Sequence, residues 1–127
     1  MGFVVGTLVP WLGLLIGAGL GLAALAAPER MLSFVGLAAV APEGLAEARA
    51  TYGGLFFALE LGAAALWLAR SSTDGLLVAG LAWTGAATGR LLSLALDGRR
   101  TARNGQAVAF ELLIGLAHLG ALLGAAG

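Results

Sequence analysis

Four long apolar segments fill nearly the whole 127-residue chain. The first of them, residues 3–27, contains no charged residue, and all four exceed the ~20 residues that a helix needs to cross a bilayer. Only 11% of the residues are charged and 60% are hydrophobic, whereas a soluble domain has about 25% charged residues. Such a chain has too few polar residues to cover a water-soluble surface, so its composition predicts an integral membrane protein.

The breaks between these segments predict how the helices are arranged. Pro28 ends the first segment, and short polar runs near residues 71–74 and 97–101 separate the last three. Short connections make consecutive helices antiparallel neighbours, so we expect one all-α domain, a four-helix transmembrane bundle in up-down-up-down order. The segment 29–41 is too short to span, which favours a short interfacial helix. In chain order, helices 1 to 4 are predicted at residues 3–27, 43–70, 75–97 and 102–126.

Arginine supplies every basic residue of the chain, and its distribution predicts the orientation. Cytoplasmic loops of membrane proteins carry an excess of basic residues. Five arginines lie in or beside the first and third loops, whereas the opposite side has only Arg70. The five are Arg30, Arg49, Arg99, Arg100 and Arg103. We therefore expect a bacterial inner-membrane protein with both termini external and an outer aromatic belt of Trp11, Trp67 and Trp83.

The residue types that the chain lacks exclude several activities. Without cysteine there is no disulfide, zinc–thiolate site, iron–sulfur cluster or thiol-redox centre. The formal net charge is zero and no large basic patch is present, which argues against nucleic acid as a partner. His118 is the single histidine, so one chain cannot hold a haem with two histidine ligands, although a haem or pigment between copies stays open.

Glycine recurs at four-residue spacing on three of the predicted helices. In lipid this spacing lets helix backbones approach closely. The repeats either pack helices inside the bundle or form a face for self-association, and both interpretations stay open. They are Gly13, Gly17 and Gly21 on helix 1, Gly85 and Gly89 on helix 3, and Gly120 and Gly124 on helix 4.

Charged residues inside the predicted helices should face one another, because each costs roughly 3 kcal/mol at the centre of a bilayer. At a rise of about 1.5 Å per residue, Arg90 and Glu111 each lie about 10 Å inside the bilayer from the same side, which predicts an ion pair. Glu60 and His118 lie about 10 Å deeper, at a second level. We expect Glu60 to point into the bundle and to be protonated or hydrogen-bonded to His118.

Polar side chains follow one face on each of helices 2, 3 and 4, and helix 1 has no such stripe. The stripes predict a polar pocket among helices 2–4 that opens on the side of the first and third loops. Three interpretations remain, namely a closed network that sets helix register, a ligand pocket, and a proton or ion path. The candidate residues are Arg49, Tyr52, Glu60, Arg90, Ser93, Asp97, Glu111 and His118.

One motif, with three later positions, resembles a known family. The motif is Glu47-Ala-Arg49-Ala-Thr-Tyr52-Gly53-Gly54, and the later positions are Arg90, Asp97-Gly98 and Glu111. The combination resembles a bacterial membrane-protein family described only as a domain of unknown function (number 4345) and is distantly similar to the DoxX-like four-helix proteins. The resemblance covers nearly the whole chain and implies fold and membrane location but no activity. Small multidrug exporters keep a glutamate in their first helix, and fluoride channels of this size carry a Thr-Phe-Ser-Thr-Phe signature; both features are absent.

These observations favour a non-catalytic membrane subunit. It would self-associate or pack in a larger membrane complex, contact membrane lipids, and hold a lipid-like or quinone-like molecule in the pocket among helices 2–4. The alternative is a small proton-coupled transporter or carrier that uses Glu60, Arg90, Glu111 and His118. An enzyme ranks third, because the sequence shows no nucleophile–base pair or metal cluster, and no cofactor can be named.

Overall fold

The chain is described by a computed structural model over residues 4–98 and 100–125, with side chains left out at residues 4, 5, 124 and 125. The predicted helix ends at Phe3 and Ala126, together with Arg99 and Gly127, lie outside this description. The elements are helix 1 (a π-helical turn, Val4–Leu8, then Val9–Ala26), the short helix (Pro28–Val35), helix 2 (Pro42–Glu47, a π-helical segment Ala48–Leu55, and Phe56–Arg70), helix 3 (Asp74–Leu96) and helix 4 (Ala102–Ala125).

The four long helices form a closed ring. Helix 1 packs against helices 2 and 4, and helix 3 packs against the same two neighbours. Short connections at residues 71–73 and 97–101 make consecutive helices antiparallel. The predicted all-α, up-down-up-down bundle is therefore confirmed. All four helices are long and apolar enough to cross a bilayer, so the protein is a multi-pass membrane protein.

The segment expected at the interface is helical over only part of its length. The short helix begins at Pro28, whose missing N–H is no loss in a first turn, and ends at Val35, where the following Gly36 adopts a left-handed φ of 82°. Residues 37–41 are not helical. Leu32 is 6% exposed, and the short helix packs against helix 1 and the π-helical segment of helix 2. It therefore covers one end of the bundle.

Glycines on helix 1 pack inside the bundle. Gly13, Gly17 and Gly21 are all buried, and a Cβ atom added at Gly21 would lie 2.8 Å from the backbone nitrogen of Phe57. This is the close backbone approach that small residues permit in lipid. Gly120 is also buried, while the surroundings of Gly124 lie outside the description.

Packing inside the bundle, one of the two interpretations of the glycine repeats, is wrong for the repeat of helix 3. Gly85 and Gly89 are exposed, and a Cβ at either would meet nothing within 4 Å. Helices 3 and 4 approach instead at Gly80 and Gly115, where a Cβ on either would lie 3.1 Å from the other's carbonyl oxygen. Helix 3 is rotated so that Gly80 faces helix 4 and Gly85 faces outward. Self-association through Gly85 and Gly89 stays a prediction.

The tryptophans divide between two environments. Trp11 and Trp67 pack together with ring centroids 5.3 Å apart and cover a small apolar core near the second loop. Trp83 is only 6% exposed and lies in the interior. Its assignment to an aromatic belt is therefore wrong, because its indole N–H has a buried polar partner rather than the membrane–water interface. The buried core residues at this end are Leu14, Ala63, Leu76, Ala79 and Ala121.

Candidate functional site

A cluster of three buried side chains, which we call the Glu60 cluster, joins helices 2, 3 and 4. Glu60 is 1% exposed and His118 is fully buried. The carboxylate oxygen Oε2 of Glu60 lies 2.7 Å from Nε2 of His118, and Oε1 accepts a 2.7 Å hydrogen bond from the indole N–H of Trp83. The predicted Glu60–His118 contact is confirmed. Trp83 is a third member that the sequence did not indicate.

The hydrogen bonds of the Glu60 cluster define where its protons can lie. Nδ1 of His118 lies 2.8 Å from the carbonyl oxygen of Ile114, which can only accept, so Nδ1 carries a hydrogen. One proton is then shared between Nε2 of His118 and Oε2 of Glu60. It can reside on either atom with every hydrogen bond kept. Both histidine nitrogens are occupied, so in this arrangement neither is available to a haem iron between copies.

Helix 1 contributes space rather than polar groups to the Glu60 cluster. A Cβ added at Gly13 would lie 2.7 Å from Nδ1 of His118, and one at Gly17 would lie 2.6 Å from the carboxyl carbon of Glu60. Ordinary carbon contacts are about 3.5–4.0 Å. The bare backbone of helix 1 therefore forms the wall against which the two polar side chains are packed. The spacing of these glycines is visible in the sequence, but their contact with Glu60 and His118 is not.

The second polar level is the ion pair between helices 3 and 4. Nε of Arg90 donates to both carboxylate oxygens of Glu111, at 2.9 and 3.0 Å. The side chain of Glu111 is 12% exposed and that of Arg90 is 31% exposed. The predicted pair at one depth is confirmed. In the described part of the chain, both hydrogen bonds of Arg90 use Nε, and its two terminal amino groups make none.

A cavity of about 730 Å³ lies beside the ion pair. Helices 2, 3 and 4 line it as predicted, but helix 1 adds Leu20 and the short helix adds Met31, Phe34 and Val35. It is therefore larger and more apolar than a pocket among helices 2–4 alone. Its volume falls in the range of about 300–1,000 Å³ that is usual for small-molecule sites.

The cavity lining changes along the bundle axis. Arg103, Asn104 and Gln106, near the start of helix 4, line the end beside the short helix. Arg90 and Glu111 lie at the middle, and Trp83 lies two helical turns, about 10 Å, deeper than Arg90. The lining thus combines polar and apolar side chains near the loops and is aromatic at depth.

Aromatic side chains separate the cavity from the Glu60 cluster. Tyr52 and Phe56 stack at 6.5 Å between ring centroids, and Phe56 packs on Trp83 at 5.1 Å. All three line the cavity, whereas Glu60 and His118 do not. Trp83 therefore has a ring at the cavity wall and an N–H bound to Glu60, and it is the residue shared by the two features.

The Arg-x-x-Tyr-Gly-Gly run lies in the π-helical segment Ala48–Leu55. This segment brings Thr51 and Tyr52 into the cavity wall. Gly53 lets helix 1 approach, since a Cβ there would lie 3.0 Å from the backbone nitrogen of Leu25. π-helical turns are frequent at functional sites, which agrees with a binding role for this wall.

Three predicted site residues are not part of the buried network. Arg49 is exposed, and its Nε donates to the carbonyl oxygen of Leu25 at 3.2 Å, so it caps the carboxyl end of helix 1. Ser93 donates to Asp97, and both are exposed at the end of helix 3. Their spacing matched the polar stripe, but both side chains are exposed and their hydrogen bond is local to the end of helix 3.

Most of the cavity wall was not predicted from the sequence. Trp83 was assigned to the membrane interface, although it lies seven residues before Arg90 and so shares its helical face. Met31, Phe34 and Val35 gave no signal, because their position depends on how the short helix folds over the bundle. No three His, Asp or Glu side chains among the described residues come together as a metal site.

The family of the chain follows from its match to a known sequence model. The sequence model of the family described as "Domain of unknown function (DUF4345)" matches residues 6–122. The protein belongs to this family. The match spans helices 1 to 4 and includes the Glu60 cluster, the ion pair and the cavity. No curated protein and no solved structure matches the chain.

Proposed function

We propose that this protein is a non-catalytic membrane subunit that holds a lipid-like or quinone-like molecule in the cavity beside Arg90 and Glu111. The observation that carries the proposal is the cavity itself, about 730 Å³ in volume and bounded by aromatic, aliphatic and charged side chains. Binding sites for small molecules are typically apolar with a few placed polar groups. The terminal amino groups of Arg90 supply donors beside an apolar wall.

The deeper polar groups support a structural rather than a catalytic role. Within the described residues, no buried side-chain nitrogen or oxygen lacks a hydrogen-bond partner. Glu60 and His118 make hydrogen bonds to each other, to Trp83 and to the carbonyl oxygen of Ile114. Trp83 lies between these two residues and the cavity. Buried polar contacts of this kind can specify which helices pair and in what register, as a single buried polar residue does in coiled coils. We assign the Glu60 cluster this function.

A small proton-coupled carrier is the second candidate. The proton shared by Glu60 and His118 favours it, because intramembrane acid–histidine pairs occur in proton relays. The variant Glu60→Gln separates the two functions. Its amide can still accept from Trp83 and donate to Nε2 of His118. A structural cluster then keeps the thermal stability of the wild type, whereas a carrier loses proton-coupled uptake in liposomes while staying folded.

We also propose a location, an orientation and an assembly for the protein. We place it in the cytoplasmic membrane of a bacterium, with the arginine-rich first and third loops inside and both termini outside. It forms homo-oligomers or joins other membrane subunits through its exposed helix faces, on which Gly85 and Gly89 lie. We also propose that it is distantly similar to the DoxX-like four-helix proteins.

The test is whether the purified protein carries a molecule in the cavity. Ala86 lines the cavity, while Ala82 is exposed one turn away on the same helix. In native mass spectrometry from a mild detergent, we expect wild type and Ala82→Phe to retain a bound small molecule and Ala86→Phe to lose it. Equal occupancy in all three proteins, or no adduct in wild type, would overturn the proposal.

A further inference from the structure

The charges around the cavity do not balance. Among its described lining residues, two are cationic, Arg90 and Arg103, and one is anionic, Glu111. The other polar lining residues are neutral: Thr51, Tyr52, Asn104 and Gln106. Because Glu111 is already bonded to Nε of Arg90, the wall retains one excess positive charge. This charge is that of Arg103, which is exposed at the loop end of the cavity. A ligand with a negative charge gains an attractive interaction with it that a neutral ligand lacks.

The donors of Arg90 fit an oxyanion. Nε holds Glu111, and the two terminal amino groups make no hydrogen bond in the described chain. A guanidinium binds carboxylate and phosphate with two parallel N–H donors, a geometry that a lysine or a neutral amide does not offer. Arg103 lies about 12 Å nearer the loops than Glu111, by its eight-residue separation on helix 4. Arg103 therefore lies at the loop end of the cavity, and Arg90 lies at its middle.

The deeper wall fits a hydrocarbon chain. Beyond Arg90 the cavity is lined by Leu20, Phe56, Trp83 and Ala86, none of which is charged. Trp83 has its indole N–H bonded to Glu60, so its ring offers the cavity no free polar donor. A molecule that fits both ends has a charged head near Arg90 and Arg103 and an apolar tail directed toward Trp83.

The geometry points to a single-chain amphiphile with an anionic oxyacid head group as the ligand, held by Arg90 and with its chain against Trp83. This assignment rests on the proposed function, since it names the ligand class of the same cavity. The head group can be a carboxylate, as in a fatty acid, or a phosphate, as in a lysophosphatidic acid. A neutral quinone would pack against the apolar wall but would not compensate the excess positive charge of the cavity.

The position of Trp83 allows a direct measurement. Trp11 and Trp67 lie at the opposite end, so replacing both by phenylalanine leaves Trp83 as the single tryptophan and reporter. Bromine quenches tryptophan fluorescence on contact. The probes are dibromostearate, its neutral methyl ester and a dibrominated lysophosphatidic acid, titrated in a nonionic detergent. Displacement by unbrominated stearate separates the cavity from non-specific partition into the micelle.

The expected result is saturable, displaceable quenching of Trp83 by one or both anionic probes, with the methyl ester at least tenfold weaker. The double variant Arg90→Met with Glu111→Gln removes both charges without leaving one unpaired, and it should weaken the anionic probe at least tenfold. Arg70→Gln is the matched control, because Arg70 is exposed at the end of helix 2 opposite the cavity. It should bind as the parent does.

The outcomes separate this inference from the proposed function. If the ester quenches as strongly as the acid, or if decylubiquinone displaces the probes better than stearate, the cavity binds amphiphiles but the anionic class is wrong. If no brominated probe quenches Trp83 displaceably, the inference fails, whereas the proposed function fails only if wild type also carries no adduct in native mass spectrometry. A stronger response to stearate than to the lysophosphatidic acid, or the reverse, identifies the head group. Unchanged binding by the folded double variant would overturn the role of Arg90.

Discussion

Helix 1 contacts Glu60 so tightly at Gly17 that we expect a single added methyl group there to destabilise the protein. In Gly17→Ala, the new Cβ would lie 2.6 Å from the carboxyl carbon of Glu60 and overlap its oxygen Oε1. That is about 1 Å closer than an ordinary carbon contact. The carboxylate cannot withdraw freely, because Trp83 and His118 each hold one oxygen at 2.7 Å.

Two costs combine in this variant. Overpacking a filled interior costs about 1–3 kcal/mol, and displacing Glu60 from a buried hydrogen bond costs about 1–3 kcal/mol more. Gly19→Ala is the matched control, since Gly19 is on the same helix and a Cβ there meets nothing within 4 Å. The intrinsic helix preference of alanine over glycine is common to both variants. We therefore expect Gly17→Ala to be about 2–6 kcal/mol less stable than Gly19→Ala.

The assay is reversible unfolding of the purified protein by sodium dodecyl sulfate in mixed micelles, followed by circular dichroism. A second comparison in a Glu60→Ala background tests the cause. If the carboxylate is the obstacle, Gly17→Ala should lose most of its cost there, and the two substitutions will be non-additive. A difference between Gly17→Ala and Gly19→Ala below about 0.5 kcal/mol would show that helix 1 does not pack against Glu60 as described.

Three further predictions concern the ion pair, the tryptophan and the orientation. Arg90→Ala leaves Glu111 without its cation and should be less stable in the same unfolding assay than the double variant Arg90→Met with Glu111→Gln; a less stable double variant would contradict the pairing. Trp83→Phe keeps the aromatic packing but removes the donor to Glu60, which should cost about 1–3 kcal/mol, so wild-type stability would exclude this hydrogen bond. A reporter fused after Gly127 should be active outside the cytoplasm, and cytoplasmic activity would reverse the proposed orientation.

Depth in the membrane could be predicted from the sequence, and the reason is geometric. An α-helix rises about 1.5 Å per residue whatever its neighbours are, so positions on antiparallel helices can be matched by counting. This count paired Arg90 with Glu111 and Glu60 with His118 before any contact was known. Both pairs are present, at 2.9 and 2.7 Å.

Rotation about each helix axis could not be predicted equally well. In a soluble bundle the apolar stripe identifies the buried face, but lipid is as apolar as leucine and the outer faces here are rich in leucine. Spacing alone therefore left open whether Gly85 and Gly89 pack inside the bundle, and in the structure both face outward. It also placed Trp83 at the interface, although Trp83 is buried against Glu60.

The sequence by itself determined that the chain crosses the membrane four times and where along each helix its charges lie, because hydrophobic length and helical rise are local properties. Only the tertiary structure decided which faces meet. It brought the glycines of helix 1 against Glu60 and His118, placed Arg49 at the end of helix 1, and added the short helix to the wall of a cavity. These features depend on how four helices and a connecting segment pack at once, and no single segment contains that information.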